Sequence, residues 1–260
     1  MAWDRASAAG ARVREVPFTG STNADLAAAV AAGRADHLDV LLTRDQRSGR
    51  GRLDRVWQAP PGASLAVSVA LRVADVPPGA RGWIPLLAGA AMARAVRAQL
   101  PGRAVGVKWP NDVLVDGRKI CGILAEGTVD PATVVVGSGV NTAMTADQLP
   151  VPTATSFAVA GAACDDDRLL ADYVAALDRG LGALARADGD AVASGGLDAV
   201  TGVCVTIGQE VVVSLPDGGS LRGTATAIDR EGRLVVSGAD GVRAVSAGDV
   251  VHVRPAAQPR

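Results

Sequence analysis

The 260-residue chain is notable first for what is scarce: 26 Lys and Arg stand against 27 Asp and Glu, only three cysteines occur, and no long apolar run appears. A balance this close to neutral argues against the whole basic face on which general nucleic-acid binding rests. Cys121, Cys164 and Cys204 are odd in number and lack metal-ligand spacing, which argues against a disulfide framework or a zinc site and fits a reduced, cytoplasmic setting. No run reaches the ~18–20 residues of a membrane helix, and the N-terminus lacks the apolar core of an export signal. What is present is 48% hydrophobic residues, in a length that supports one substantial core and a small extra domain.

Periodicity gives the elements. Arg12–Phe18 alternates as a strand; Thr22 followed by Asp25 resembles a capping box opening an alanine-rich helix that Gly33 ends. His37–Thr43 and Ser64–Leu71 read as strands, and between them the stretch 44–63 has neither period. A loop of about twenty residues inside a compact domain is usually functional. Trp83–Leu100 is a helix, the short apolar runs from Ala104 to Val140 are antiparallel strands, and Asp166–Ala187 is a further helix. The expected fold is α/β (α+β): a mixed, largely antiparallel sheet flanked by helices. Five short strands between Glu210 and Val253 describe a small barrel. The expected division is a flexible arm over 1–14, a catalytic domain over 15–202, a barrel over 203–254 and a disordered tail over 255–260.

The unpatterned stretch contains Gln46-Arg47-Ser48-Gly49-Arg50-Gly51-Arg52. Glycines let backbone N–H groups approach a ligand, and the arginines offer planar forks for carboxylate or phosphate. Alone the motif is weak, because arginine–glycine runs also bind RNA. Two more clusters accompany it. Lys108-Trp109-Pro110-Asn111-Asp112 precedes Gly117-Arg118-Lys119 and Gly122-Ile123-Leu124-Ala125-Glu126, and Gly137-Ser138-Gly139-Val140-Asn141 ends a strand. Lysines at a sheet without a charged partner are costly, although a hairpin whose lysines face water is the plain alternative.

With Gly20-Ser21-Thr22-Asn23 and Trp57, these segments stand in the order found in biotin protein ligases, and the sequence resembles that family over roughly residues 15–200 and in the C-terminal segment. The family usually has glycine where this chain has Asp54 and a small or polar residue where it has Arg47. The resemblance implies a class II synthetase-like catalytic domain with an SH3-like barrel, and a reaction joining biotin to ATP as biotinyl-5′-adenylate before transfer to a lysine of a biotin carboxyl carrier domain. Mg²⁺ would accompany the ATP, with no dedicated protein cage. The resemblance further implies a monomer or weak homodimer without nucleic-acid or membrane partners. Fewer than twenty residues precede the first motif, too few for the DNA-binding unit that some members carry.

By that resemblance, Lys119, Arg50, Arg52 and Asp112 are the catalytic candidates, Asp112 as acceptor of the carrier lysine's proton. Ser21, Thr22, Asn23, Gln46, Gly49, Gly122 and Gly137 join Arg50, Arg52 and Lys119 around biotin. Trp57, Lys108, Asn111 and Asn141 join the same three cations around ATP and the adenylate. Thr22 has a competing duty as helix cap. Two other classes stay open: a lipoate or octanoyl transferase, and a nucleic-acid-binding module using Arg44, Arg47, Arg50, Arg52 and Arg55. Asp45 and Asp54 within that patch, and the lack of stacking aromatics near it other than Trp57, count against the second.

Overall fold

The computed structural model describes residues 2–52, 55–215, 219–239, 241–246 and 249–252. Asp54, the turn residues 216–218, Asp240 and the tail 255–260 lie outside them. The larger unit is a seven-stranded sheet formed by β1 (Arg12–Glu15), β2 (Asp39–Thr43), β5 (Leu65–Arg72), β6 (Val105–Lys108), β7 (Asp112–Val115), β8 (Arg118–Gly127) and β9 (Thr133–Val140). Its order is β1-β2-β5-β9-β8-β7-β6, and every pair but β1–β2 is antiparallel. The mixed, largely antiparallel sheet expected from alternation is therefore present.

Strand period divides the sheet into two unlike faces. Val67, Val69 and Leu71 of β5 and Val136 and Val140 of β9 point into the main core under α3 (Trp83–Gln99) and α4 (Asp166–Arg186). The opposite face carries smaller side chains, Ala66, Ser68 and Ala70 on β5 and Gly137 and Gly139 on β9. There α2 (Thr22–Ala31) covers one end through Leu26, Val30, Leu41, Ala70 and Val135, and leaves a cleft over the remainder.

Residues 2–14 are not the flexible arm expected. They form α1 (Asp4–Ala8) and most of β1, because Trp3, Ala6 and Ala11 bury against the core and the Asp167 carboxylate accepts the Arg5 and Ala6 N–H groups at 3.0 Å each. The stretch 44–63 is also not featureless: β3 (Gly49–Arg50) and β4 (Val56–Trp57) pair as an antiparallel ribbon.

After α5 (Gly196–Thr201) come β10 (Glu210–Ser214), β11 (Ser220–Ile228), β12 (Leu234–Gly238), β13 (Gly241–Val245) and β14 (Asp249–His252). Their order, β13-β12-β11-β10-β14, corrects the expected closed barrel. Closure requires the outer strands to pair, and among the described residues β13 pairs only with β12 and β14 only with β10. The result is an open antiparallel sheet. It is latched to the larger unit by two tryptophans: the Trp83 indole donates to Arg230 O at 3.0 Å and the Trp109 indole to Gly232 O at 3.1 Å. Among the described residues, no helix is long and apolar enough to cross a membrane.

Candidate active site

One end of the cleft is a buried polar network. The N-cap of α2 is Ser21, whose hydroxyl accepts the Ala24 N–H at 3.4 Å, so the expected cap at Thr22 is off by one residue. Thr22, relieved of capping, donates its N–H and its hydroxyl to Gln46 Oε1 at 2.9 and 3.1 Å. Ser68 Oγ lies 2.7 Å from Thr22 Oγ1 and 2.6 Å from Asn23 Oδ1. Asn23 Nδ2 donates to Leu124 O at 3.2 Å and to Glu126 Oε2 at 2.7 Å. Burial makes these contacts obligatory, since an unpaired hydroxyl or amide here would lose water without compensation. Gly137 is a condition of the arrangement: a Cβ there would lie 2.9 Å from Asn23 Cγ and closer still to its carbonyl oxygen.

The other end is cationic. Residues 45–48 are zipped to 19–20 by Thr19 N–H to Asp45 O (3.1 Å), Arg47 N–H to Thr19 O (2.9 Å) and Ser48 N–H to Gly20 O (2.8 Å), which launches β3 over the cleft. Arg47 stacks 4.0 Å over the Phe18 ring and pairs with Asp45 at 2.8 Å. Trp57 packs against Gly139, where a Cβ would fall 2.7 Å from the indole. Arg50 Nη2 donates to Glu126 Oε1 at 3.0 Å, and Arg52 Nη1 to Asn111 Oδ1 at 3.2 Å. Lys119 Nζ sits 2.5 Å from Asp112 Oδ1, and it passes directly over Gly122, where a Cβ would be 3.2 Å from the ammonium. The backbone of Lys119 is held on both sides, by its N–H to Thr153 O and by Thr155 N–H to its own carbonyl, each 2.8 Å.

Around these groups lies a cavity of about 180 Å³, lined by Ser21, Thr22, Asn23, Gln46, Arg50, Arg52, Trp57, Asn111, Asp112, Lys119, Gly122 and Gly137. An adjoining cavity of about 460 Å³ shares Arg50, Gly51, Arg52, Asn111, Ile123 and Leu124 with it and extends past Glu126, Pro85, Leu86, Trp109 and Gly232. The two lobes thus meet at the arginines.

Three of the residues expected in the site do not line either lobe. Gly49 packs against Trp57, where a Cβ would meet the indole ring at 2.9 Å. Asn141 is spent on structure, its side-chain amide donating to Thr155 O at 2.8 Å and its N–H to Ile120 O at 2.9 Å. Lys108 lies toward His252 of the C-terminal sheet, whose imidazole is made less basic by burial and then by that ammonium. Conversely, Ser68, Glu126, Arg55 and Gly139 belong to the site and were not assigned to it from sequence. Glu126 stood within a quoted motif without a role. The signal for Ser68 was the small-residue alternation Ala66, Ser68, Ala70, which marks the strand face that makes room.

Cys121 lies under the cleft floor, and burial pushes its thiol up to about 12, so it is a packing group and not a nucleophile. Among the described residues no group of three His, Cys, Asp or Glu could hold a metal ion.

A cleft with a buried amide–hydroxyl end and a cationic end, laid on the small-residue face of a mixed sheet, suits a small ligand that is polar at one end and anionic at the other. The fold matches a biotin protein ligase from Aquifex aeolicus, whose structure holds biotin and ATP, with a TM-score of 0.77 at 20% identity over 94% of this chain and 99% of that one. The biotin/lipoate A/B protein ligase family model matches residues 16–141, and the biotin protein ligase C-terminal domain model matches 206–253. A Mycobacterium tuberculosis protein, "Biotin--[acetyl-CoA-carboxylase] ligase", is 40% identical over 246 residues, 92% of this chain and 88% of that one. The bifunctional ligase/repressor BirA of Escherichia coli is 38% identical over 138 residues, 52% of this chain and 42% of that one. The chain belongs to the biotin protein ligase family.

Proposed function

We propose a division of labour between the two lobes in the family's reaction. The protein is a biotin–protein ligase: it uses ATP and biotin, forms an adenylate intermediate, and biotinylates protein. The polar network of Ser21, Thr22, Asn23 and Gln46 receives the ureido ring, and the absence of side chains at Gly122 and Gly137 leaves room for the groups beside it. The carboxylate then points toward Lys119, Arg50 and Arg52, and Trp57 and Asn111 flank the adenylate.

The observation that carries this reading is the concentration of three cations in one cleft, Arg50 and Arg52 where the lobes meet and Lys119 in the smaller lobe. Two like charges ~4 Å apart repel by about 4 kcal/mol at an effective dielectric of 20. A biotin carboxylate attacking an α-phosphate must overcome that repulsion, and cations fixed in advance lower it most in the transition state. The carboxylate oxygen bonds to the α-phosphorus as pyrophosphate departs. Mg²⁺ arrives as part of the ATP substrate, held by its phosphates. In the second step a carrier lysine attacks the acyl carbon and AMP leaves. Asp112, freed as Lys119 engages the anions, accepts the attacking amine's proton. The carrier is the biotin carboxyl carrier domain of a biotin-dependent carboxylase.

Incubation with biotin, Mg–ATP and such a carrier domain, followed by intact-mass measurement, tests the reaction. The expected result is one ATP-dependent biotinyl addition. A lipoyl addition with lipoate in place of biotin, at equal or greater rate, would overturn the substrate assignment.

A further inference from the structure

Among the described residues, Glu126 is the one carboxylate in the groove that touches both of its ends. Oε2 accepts from Asn23 Nδ2 at 2.7 Å, while Oε1 accepts from Arg50 Nη2 at 3.0 Å. We propose that Glu126 is a positioning residue that ties the direction of Arg50 to the ring-binding network, with buried Ser68 as the fixed end of the tie.

The argument runs from the inside outward. Ser68 is fully buried on β5, and its hydroxyl donates to Asn23 Oδ1 at 2.6 Å. Both amide protons of Asn23 face the opposite way, one to Leu124 O and one to Glu126. Turning the amide over would set its carbonyl against a backbone carbonyl and a carboxylate, so only one orientation is satisfied. Sliding the side chain is blocked by the Gly137 backbone, on which it rests too closely to admit even a methyl group. Asn23 therefore holds Glu126 Oε2 from a rigid base.

Glu126 keeps its second oxygen for Arg50. A guanidinium has five N–H donors in one plane. With an Nη2 proton committed to Glu126, the other donors of the fork stay open to the junction of the lobes, which Arg50 lines on both sides. The Arg50 side chain is 55% exposed, so this pair contributes little to stability. Its consequence is directional: without Glu126 the arginine would sample many rotamers, and with it one edge is presented to a carboxylate.

The proposal rests on the reading that Arg50 meets biotin's carboxylate, and the test separates the two. Glu126→Gln preserves volume but offers one acceptor oxygen for two donors, so it can serve Asn23 or Arg50 and not both. We expect it to weaken biotin binding, measured by calorimetry without ATP, by about tenfold, as loss of a charge-assisted contact does. Ser68→Ala should weaken biotin by about fivefold through the other end of the same network. The KM for ATP should stay within about twofold for both, and in an Arg50→Ala background the Glu126→Gln loss should shrink below about threefold, the mark of coupled residues. An equal loss in both backgrounds, or an ATP KM that rises as much as the biotin Kd, would reduce Glu126 to a general structural role and overturn the tie. Unchanged biotin affinity in Arg50→Ala alone would overturn the underlying reading of Arg50.

Discussion

At the polar end of the cleft, Ser68, Thr22 and Asn23 are buried and linked by hydrogen bonds through Ser68, whereas at the cationic end Lys119 and Arg50 remain 43% and 55% exposed and lean on Asp112 and Glu126. The first arrangement is neutral and rigid, because breaking any contact leaves a desolvated polar atom. The second is ionic and exchangeable, because water screens each pair and a substrate anion can replace the carboxylate. Under the proposed division of labour, recognition and chemistry rest on different physics within one groove. A rigid neutral wall discriminates by shape and hydrogen bonding, while loosely held cations can follow charge as it develops.

Substitutions at the two ends should accordingly fail in different ways. The largest effect is expected for Lys119→Ala: pyrophosphate release should fall by about 10³-fold while the thermal midpoint hardly moves, since a half-exposed ammonium stabilises developing charge more than it stabilises the fold. Pyrophosphate release near the wild-type rate would remove Lys119 from the first step. At the rigid end, Gly137→Ala should strike binding and stability together. The new methyl displaces Asn23, raising the biotin KM by at least about tenfold and costing about 1–3 kcal/mol on denaturant unfolding. A variant that binds biotin normally would show that the network tolerates movement.

Arg52→Gly sharpens the comparison within the cationic end. Arg52 donates to Asn111, so its loss should slow activation far less than the loss of Lys119 and should chiefly speed escape of the adenylate, by about tenfold, read by rapid filtration of labelled intermediate. Retained adenylate with slowed pyrophosphate formation would instead assign Arg52 to the first step.

The smallest effect is expected away from the cleft. His252 Nε2 lies within hydrogen-bond distance of the Thr206 hydroxyl, 3.1 Å, and Thr206 Oγ1 accepts the Trp109 backbone N–H at 2.9 Å. Burial, then Lys108, lowers the imidazole pKa below its ordinary 6.5. The sign follows: above pH 6.5 neither state is protonated, and as pH falls from there through the lowered native value the unfolded chain takes up the proton first, so stability is lost. Wild type should lose about 1 °C more than His252→Gln between neutral and mildly acidic pH, after the discount for a half-exposed group. Identical losses would detach His252 from the latch.

Much of this was legible along the chain because it depends on local rules. The glycine–arginine loop, the Lys108–Asp112 motif and the strand bearing Lys119 were each visible as clusters, and most of the residues named from them do line one cleft. Ser68 was not legible, since a serine in a strand is ordinary until α2 and β9 bring Thr22 and Asn23 over it. Asn141 misled for the converse reason: an amide at a strand end suits a ligand, but here Thr155 O reaches it first. Trp3 and Asp167, far apart in sequence, turned an expected arm into a docked helix.

Alternation and capping chemistry by themselves determined most strands of both sheets and the helices α2, α3 and α4, because period and steric bulk are properties of a few adjacent residues, whereas α1 and the β3–β4 ribbon depend on packing. Whether the last five strands close was decided only in three dimensions. Only three residues lie between the end of β13 at Val245 and the start of β14 at Asp249, yet among the described residues β13 pairs with β12 and β14 crosses to β10 at the opposite edge, a placement that no local pattern specifies. The same holds for Glu126. Its charge is written in the chain, but its role as the link between two ends of a site follows from β8 carrying it past both Asn23 and Arg50, a meeting that packing alone arranges.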